Sequence, residues 1–330
     1  MRHPFVELAT DMRTGKLATV SKMLASLLVA SVAAQVHAAT DCGHCADWNV
    51  SQKPFRVYGN TYYVGVHGLS SILITSPQGH ILIDGDLAES APKIAANIQA
   101  LGFRVKDVKL ILNSHVHFDH ASGLAQLQKL SGAPVAASPP AARALQAGHS
   151  GPDDPQYGTL PSITPIAKIK VIKDGETVHV GPLALTAHFT PGHTPGGTSW
   201  TWQSCDRGAS EGTPGGGDQD RCLNIAYVDS LRAVSAPSFH FSHNPAYPNI
   251  RADFEKSFAT VAALPCDILL TPHPEASDLW DRLAKRDQGD ANAFVDPGMC
   301  KQLAQSAKAG FDKRMADEAA GQTPGTDSAH

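Results

Sequence analysis

Residues 115–120 read His-Val-His-Phe-Asp-His, which gathers His115, His117, Asp119 and His120 into six positions. Neutral imidazoles and carboxylates are ligands that suit zinc. A lone histidine in a domain is ordinarily a satisfied polar residue, but packing gives little reason to crowd four such groups into one turn. Two more histidines stand in loops rich in Pro, Gly and Thr: His193 in Thr-Pro-Gly-His-Thr-Pro-Gly-Gly and His273 in Thr-Pro-His-Pro. Together these six residues predict a site for two zinc ions. Three imidazoles on one metal would leave a tetrahedral position open, the arrangement of a catalytic zinc. Water in that position ionises near neutral pH and becomes a nucleophile.

Such a cluster needs rigid elements to aim it, and the pattern supplies them. Apolar alternating runs at 55–66, 70–76 and 80–85 read as strands, punctuated by Gly59-Asn60 and Pro77-Gln78-Gly79. Residues 89–102 read as a helix with Ile94, Ile98 and Leu101 on one face and Gly102 as its stop. The strand at 108–114 delivers the histidine run, and helix 121–132, strand 134–138 and helix 139–148 follow. Residues 148–162 are turn-rich and read as a surface loop lining something. A second set of strands begins at Ile169 and runs to Thr190, with further strands at 198–203, 223–230 and 267–275. Helices are expected at 252–265, with Phe254, Phe258 and Val261 inward, and at 301–320. Each ligand candidate falls at a strand end. This order implies two sheets covered by helices on their outer faces.

Composition narrows the class. The chain has 330 residues, 42% hydrophobic and 18% charged, with a net charge of −4, which suits a soluble globular protein. Without a basic stripe, nucleic acid is not an expected partner. Lys22 precedes a 12-residue apolar run (23–34), too short to span a bilayer. Small residues follow at a signal-peptidase spacing, so residues 1–38 are expected to be a leader cleaved after Ala38. Its removal takes away a net +2 and leaves −6. The domain is then 39–320, with a flexible Gly-rich insert at 205–222 and a disordered tail at 321–330. The expected location is the periplasm, and no membrane span is expected in the mature chain. The six cysteines of an exported chain suggest disulfides. Cys266 and Cys300 would close a 35-residue loop, and Cys205 with Cys222 would pin the base of the insert. Cys42 and Cys45 form a C-x-x-C that fits a local disulfide or bridges elsewhere.

The motifs HVHFDH, TPGHTPGG, YVDSL and LPCDILLTPHPEAS resemble the metallo-β-lactamase superfamily, and specifically its subclass B3. The resemblance extends from about residue 48 to 315. The Thr-Pro-His-Pro histidine, the late cysteine pair and the exported context narrow it to the lactamase branch. It implies an α/β fold, the αβ/βα four-layer sandwich with metals at one sheet edge. By the same resemblance His115, His117 and His193 hold the first zinc, and Asp119, His120 and His273 the second. Asp119 would orient the nucleophile and hold the water that protonates the departing nitrogen. Asp84 is similar to an aspartate that steadies the metal-binding loop. Ser230, in the Asp-Ser-Leu segment, would receive the substrate carboxylate. Arg232 replaces the family's hydroxyl residue and could pair with that carboxylate or be a solvated surface arginine. His67 would border the cleft.

The implied activity is zinc-dependent hydrolysis of the β-lactam amide of penicillins, cephalosporins and carbapenems by a monomer, conferring antibiotic resistance. This route needs no protein nucleophile, so no covalent acyl-enzyme is expected. The rival readings are a lactonase or a thioesterase such as glyoxalase II, in which an aspartate near Asp229 would bridge the metals. A di-iron oxidoreductase and a metal-binding protein without activity are more distant.

Overall fold

The computed structural model describes residues 42–206 and 221–322. The expected leader, residues 207–220 of the insert and residues 323–330 of the tail lie outside them.

Seven strands form the first sheet in chain order: β1 (Phe55–Tyr58), β2 (Thr61–Tyr63), β3 (Ile72–Ile74), β4 (His80–Ile83), β5 (Val108–Leu112), β6 (Val135–Ala137) and β7 (Ile169–Val171). Short connections make β1 to β4 antiparallel. From β4 to β7 the pairing is parallel, since helices Ala91–Ala100, Leu124–Ser131 and Pro139–Ala147 lie among the crossovers. The second sheet has β8 (Thr177–Val180), β9 (Leu183–Phe189), β10 (Thr198–Asp206), β11 (Arg221–Tyr227) and β12 (Ile268–Leu270), in the order β12-β11-β10-β9-β8. The expected second set of strands therefore starts later than the sequence pattern suggested. Ile169 belongs to β7, paired with Val135 in the first sheet, and the chain crosses to the second sheet through a turn at Gly175. An edge strand of the first sheet and the following hairpin share one apolar run, so periodicity alone could not divide them.

Local chemistry explains the helix ends. The Ser138 side chain caps the Ala141 N–H, Pro139 opens the helix where no amide partner is needed, and Gly148 ends it in the left-handed region. Helix Leu279–Asp287 was not expected from the sequence; Asp278 precedes it at φ 49° instead of in the extended conformation of an ordinary cap.

Three apolar layers result. Between the sheets, Ile72, Ile74, Ile83 and Leu112 meet Trp200, Trp202, Ile225, Tyr227 and Leu270. On the outer face of the first sheet, Leu73, Leu82 and Ile111 pack against Ile94, Ile98, Leu124 and Leu145. Outside the second sheet, Ala226 and Leu269 pack with Phe254, Phe258, Val261 and Phe311. Both faces of β3 and β4 are thus covered, which is why these strands read as unbroken apolar runs. The chain is a four-layer helix–sheet–sheet–helix sandwich.

Disulfides join Cys266 to Cys300, Cys205 to Cys222 and Cys42 to Cys45. The first bonds helix Met299–Ala319 to the start of β12's segment, and the third is local. Among the described residues no helix is long and apolar enough to cross a membrane.

Candidate metal centre

Strand direction decides which residues can meet. β4 and β5 run parallel, so their C-terminal ends share one edge. In the second sheet β9, β11 and β12 also point one way, as the antiparallel β9–β10–β11 and parallel β11–β12 pairings require. The residues that follow these strands are Asp84, His115 to His120, His193, Asp229 and His273. Hydrogen bonds bring the two edges together: Thr198 N donates to the Ser114 carbonyl at 2.9 Å, and Trp200 Nε1 donates to the Asn113 carbonyl at 3.3 Å.

The six expected ligands converge there. His115, His117 and His193 have ring centroids 4.7–4.9 Å apart, His115 and His120 are at 4.4 Å, and His120 and His273 are at 4.8 Å. Asp119 Oδ2 lies 3.1 Å from His120 Nε2 and 3.2 Å from His273 Nε2. Ligand atoms of His115, His117 and His193 form one compact group, and those of His115, Asp119 and His120 form another. All but His273 are buried, and its side chain is 33% exposed.

The outer nitrogens of the first three rings are already engaged. His115 Nδ1 lies 2.8 Å from Asp229 Oδ1, His193 Nδ1 donates to the Arg232 carbonyl at 2.9 Å, and His117 Nε2 is 3.2 Å from both oxygens of Asp154. That leaves Nε2 of His115, Nδ1 of His117 and Nε2 of His193 to face one another. A ligating histidine almost always hands its other nitrogen to a carboxylate or carbonyl in this way. His120 carries the complementary sign: both of its ring nitrogens are buried without a hydrogen-bond partner, so the 3.1 Å approach to Asp119 is a contact without hydrogen-bond alignment. Buried polar atoms are rarely orphaned without a reason. This donor set, five imidazoles and one carboxylate, fits zinc.

Electrostatics support the same arrangement. Burial pushes His115 and His193 well below the ordinary histidine value, helped by neighbouring imidazoles, so both present neutral lone pairs. Burial also works against charge on His117, but Asp154 outweighs it and raises that ring. Burial likewise disfavours the Asp119 carboxylate, yet His120 and His273 hold it well below its usual range and it stays ionised.

Behind the cluster, Asp84 accepts from Ser114 N at 2.8 Å, Ser114 Oγ at 2.6 Å and Tyr227 Oη at 2.9 Å. It thereby grips the neck of the histidine loop, and burial lifts its pKa to about 6. Asp84 and Asp86 sit at φ 59° and 53°, an uncommon region for a residue with a Cβ. The strained turn lets Gly85 N donate to the His120 carbonyl and the Asp86 carbonyl accept from Gly123 N.

Ser230 is half-buried and Arg232 exposed, both just past β11. The Arg232 carbonyl reaches the cluster through His193. His67 is exposed and stacks on Trp280 at 4.5 Å. Sequence reasoning missed Asp154, Gln156, whose Nε2 lies 3.4 Å from His117 Nδ1, and Trp48, whose ring is 5.3 Å from that of His273. The only signal for the first two was an acid and an amide inside the turn-rich 148–162 segment.

Residues 64–207 match the family model described as the metallo-beta-lactamase superfamily. The chain is similar to the Rm3 metallo-beta-lactamase, with 57% identity over 84% of this chain and 99% of that one, and a TM-score of 0.79. It is also similar to MEM-A1, a subclass B3 metallo-beta-lactamase isolated from a soil metagenome library, with 52% identity over 84% and 100% of the two chains and a TM-score of 0.77. For MIM-1 from Novosphingobium pentaromativorans the values are 42% identity, 83% and 93% coverage, and a TM-score of 0.74. A probable metallo-hydrolase of Burkholderia pseudomallei is 32% identical over 114 residues, a match spanning 32% of this chain and only 34% of that relative.

Proposed function

The chain belongs to the metallo-β-lactamase superfamily, on its subclass B3 branch, and from that premise we propose that it hydrolyses the amide of β-lactam antibiotics with two zinc ions. One observation carries the reading: each ring of the three-histidine group has its outer nitrogen tied to a protein acceptor and its other nitrogen turned inward. His115, His117 and His193 would hold the first ion, and Asp119, His120 and His273 the second. Zinc bound there would supply a Lewis acid for the ring carbonyl and a nucleophile drawn from water at neutral pH.

The protein's own groups do the rest. Asp119, kept ionised by His120 and His273, accepts a hydrogen bond from the attacking water and so aims it. As the lactam C–N bond breaks, a water on the same carboxylate delivers the proton to nitrogen. Ser230 and Arg232, on the segment beside His193, receive the substrate carboxylate. The substrates would be penicillins, cephalosporins and carbapenems, cleaved in the periplasm by a monomer, with antibiotic resistance as the outcome. The lactonase or thioesterase reading asks Asp229 to lie between the metals. Its Oδ1 instead meets the outer nitrogen of His115 at 2.8 Å, which supports a place behind that ring.

The test is turnover of a chromogenic cephalosporin, a penicillin and a carbapenem by the purified protein, beside a thioester and a lactone. Activity should vanish on chelation and return with zinc. His117→Ala should lower kcat/KM by about 10²-fold or more, since a Lewis-acid contribution is worth several kcal/mol. Arg232→Ala should lose kcat/KM across β-lactams while still binding its metal. A zinc-loaded protein that cleaves the thioester or lactone and no β-lactam would defeat the proposal.

A further inference from the structure

Asp154 lies in a turn-rich loop, yet its side chain is 1% exposed. Loop aspartates ordinarily face water, and burying a carboxylate is costly unless charge and hydrogen bonds compensate. Here the compensation points in two directions. Towards the cluster, both carboxylate oxygens lie 3.2 Å from His117 Nε2. Towards its own loop, Oδ1 accepts the Gln156 N–H at 2.8 Å, Asp154 N donates to the Gly151 carbonyl at 2.9 Å, and the Asp154 carbonyl accepts from Tyr157 N at 3.0 Å.

The loop is in turn stitched to a second one. The Pro155 carbonyl accepts from Ala236 N at 2.8 Å, and the same 230–239 stretch supplies the Arg232 carbonyl that holds His193 Nδ1. His115 is held differently, by Asp229 at the end of β11 and by Ser114 at the end of β5. Of the three rings, His117 alone is oriented by a carboxylate from a loop that belongs to no sheet edge.

We propose that Asp154 is a positioning residue: it fixes the tautomer and orientation of His117 and ties filling of the three-histidine group to the seating of the 150–157 loop. The physical reason is the choice an imidazole must make. A proton on Nε2, donated to Asp154, leaves the lone pair on Nδ1, facing His115 and His193. Without the carboxylate, a half-turn of the ring and the other tautomer both become accessible, and the ligand must be ordered at the cost of binding. The linkage is reciprocal, because whatever favours Nδ1 facing inward also favours the Nε2–Asp154 contact. What the loop then seats is Gln156, 3.4 Å from His117 Nδ1.

This inference rests on the zinc reading of the cluster, and its test separates the two. Parent, Asp154→Ala and Asp154→Asn proteins are compared as full chains. Zinc affinity is measured equivalent by equivalent against a chromophoric chelator, and amide hydrogen exchange over 150–157 is followed with and without zinc. In the parent, zinc should bind in two equivalents and slow exchange in the loop. Asp154→Ala should weaken one equivalent about 10- to 100-fold, spare the other, and lose the zinc-dependent protection. Asp154→Asn keeps an acceptor oxygen but not the charge and should fall between; if the alanine variant does not fold, this near-isosteric change carries the comparison. Variants with parental affinity for both equivalents, or with loop protection by zinc equal to the parent's, would overturn the role of Asp154 and leave the zinc site standing. A parent that binds no zinc would overturn both.

Discussion

A side chain at position 197 has no room: a Cβ there would lie 2.5 Å from Asp229 Oδ2 and 2.5 Å from the Thr190 carbonyl oxygen. Neither neighbour can yield cheaply, since one is backbone and the other is the carboxylate against His115. Gly197→Ala should therefore cost about 1–3 kcal/mol as an overpacked site and disturb the Asp229–His115 contact at the same time. Thermal melts with and without zinc would check this, with the larger loss expected in the zinc-loaded protein. At this scale the six residues that converge were legible, because four of them stand in one run and the other two in loops of matching composition. Their partners were not. Asp154 reaches His117 across 37 residues and Asp229 reaches His115 across 114, and no local pattern records such a meeting. Arg232 was singled out for its guanidinium; its main-chain carbonyl also holds His193 Nδ1, a contact that any residue could supply and that the sequence could not announce.

Helix Met299–Ala319 does more than cover the second sheet. Glu318, with a side chain 1% exposed, accepts the N–H of Phe241 at 3.0 Å and of Ser242 at 2.8 Å while pairing with Arg314 at 2.9 Å. The helix thus anchors the stretch that follows the Asp229–Arg232 rim. Burial pushes the Glu318 carboxyl up, but those amides and Arg314 outweigh it and hold it below its ordinary value of 4.5. The folded state therefore binds this proton less readily than the unfolded chain. The stability it contributes is present above the ordinary value and is lost as pH falls through the depressed one. Glu318→Ala should destabilise by about 2–4 kcal/mol in urea titrations at neutral pH, through two unpaired amides and an Arg314 that loses its carboxylate. Glu318→Gln should flatten the decline in stability as pH falls below the ordinary carboxylate value of 4.5. Among the elements, strong periodicity made most strands and helices readable, including the inward Phe254, Phe258 and Val261. The assignment of Ile169 to the second set failed because sheet membership is a pairing choice, and helix Leu279–Asp287 escaped because its start lacks an ordinary cap.

The molecule as a whole is two sheets whose strand ends bring side chains to one cluster, His115 to His120 from the first and His193 and His273 from the second. Divalent ions held between them would cross-link the halves of the sandwich. Zinc at 100 times its dissociation constant adds about 2.7 kcal/mol per site, enough to raise Tm by roughly 5–10 °C for a chain of this length. Melts across a chelator-to-zinc series should show Tm climbing with free zinc. A Tm indifferent to zinc would mean that the sheets do not share the ions.

The hairpin of β10 and β11 runs away from that cluster. Thr198 touches Ser114 at the edge that carries the histidine cluster, and seven residues further on, roughly 23 Å along the strand, Cys205 and Cys222 face each other and are bonded. The disulfide works as a covalent clasp, so chain spliced between Asp206 and Arg221 would hang outside it, with little leverage on the ligands. That makes the Cys205–Cys222 end of the β10–β11 pair a natural port for grafting a reporter or a second enzyme, far from the histidine cluster at its other end.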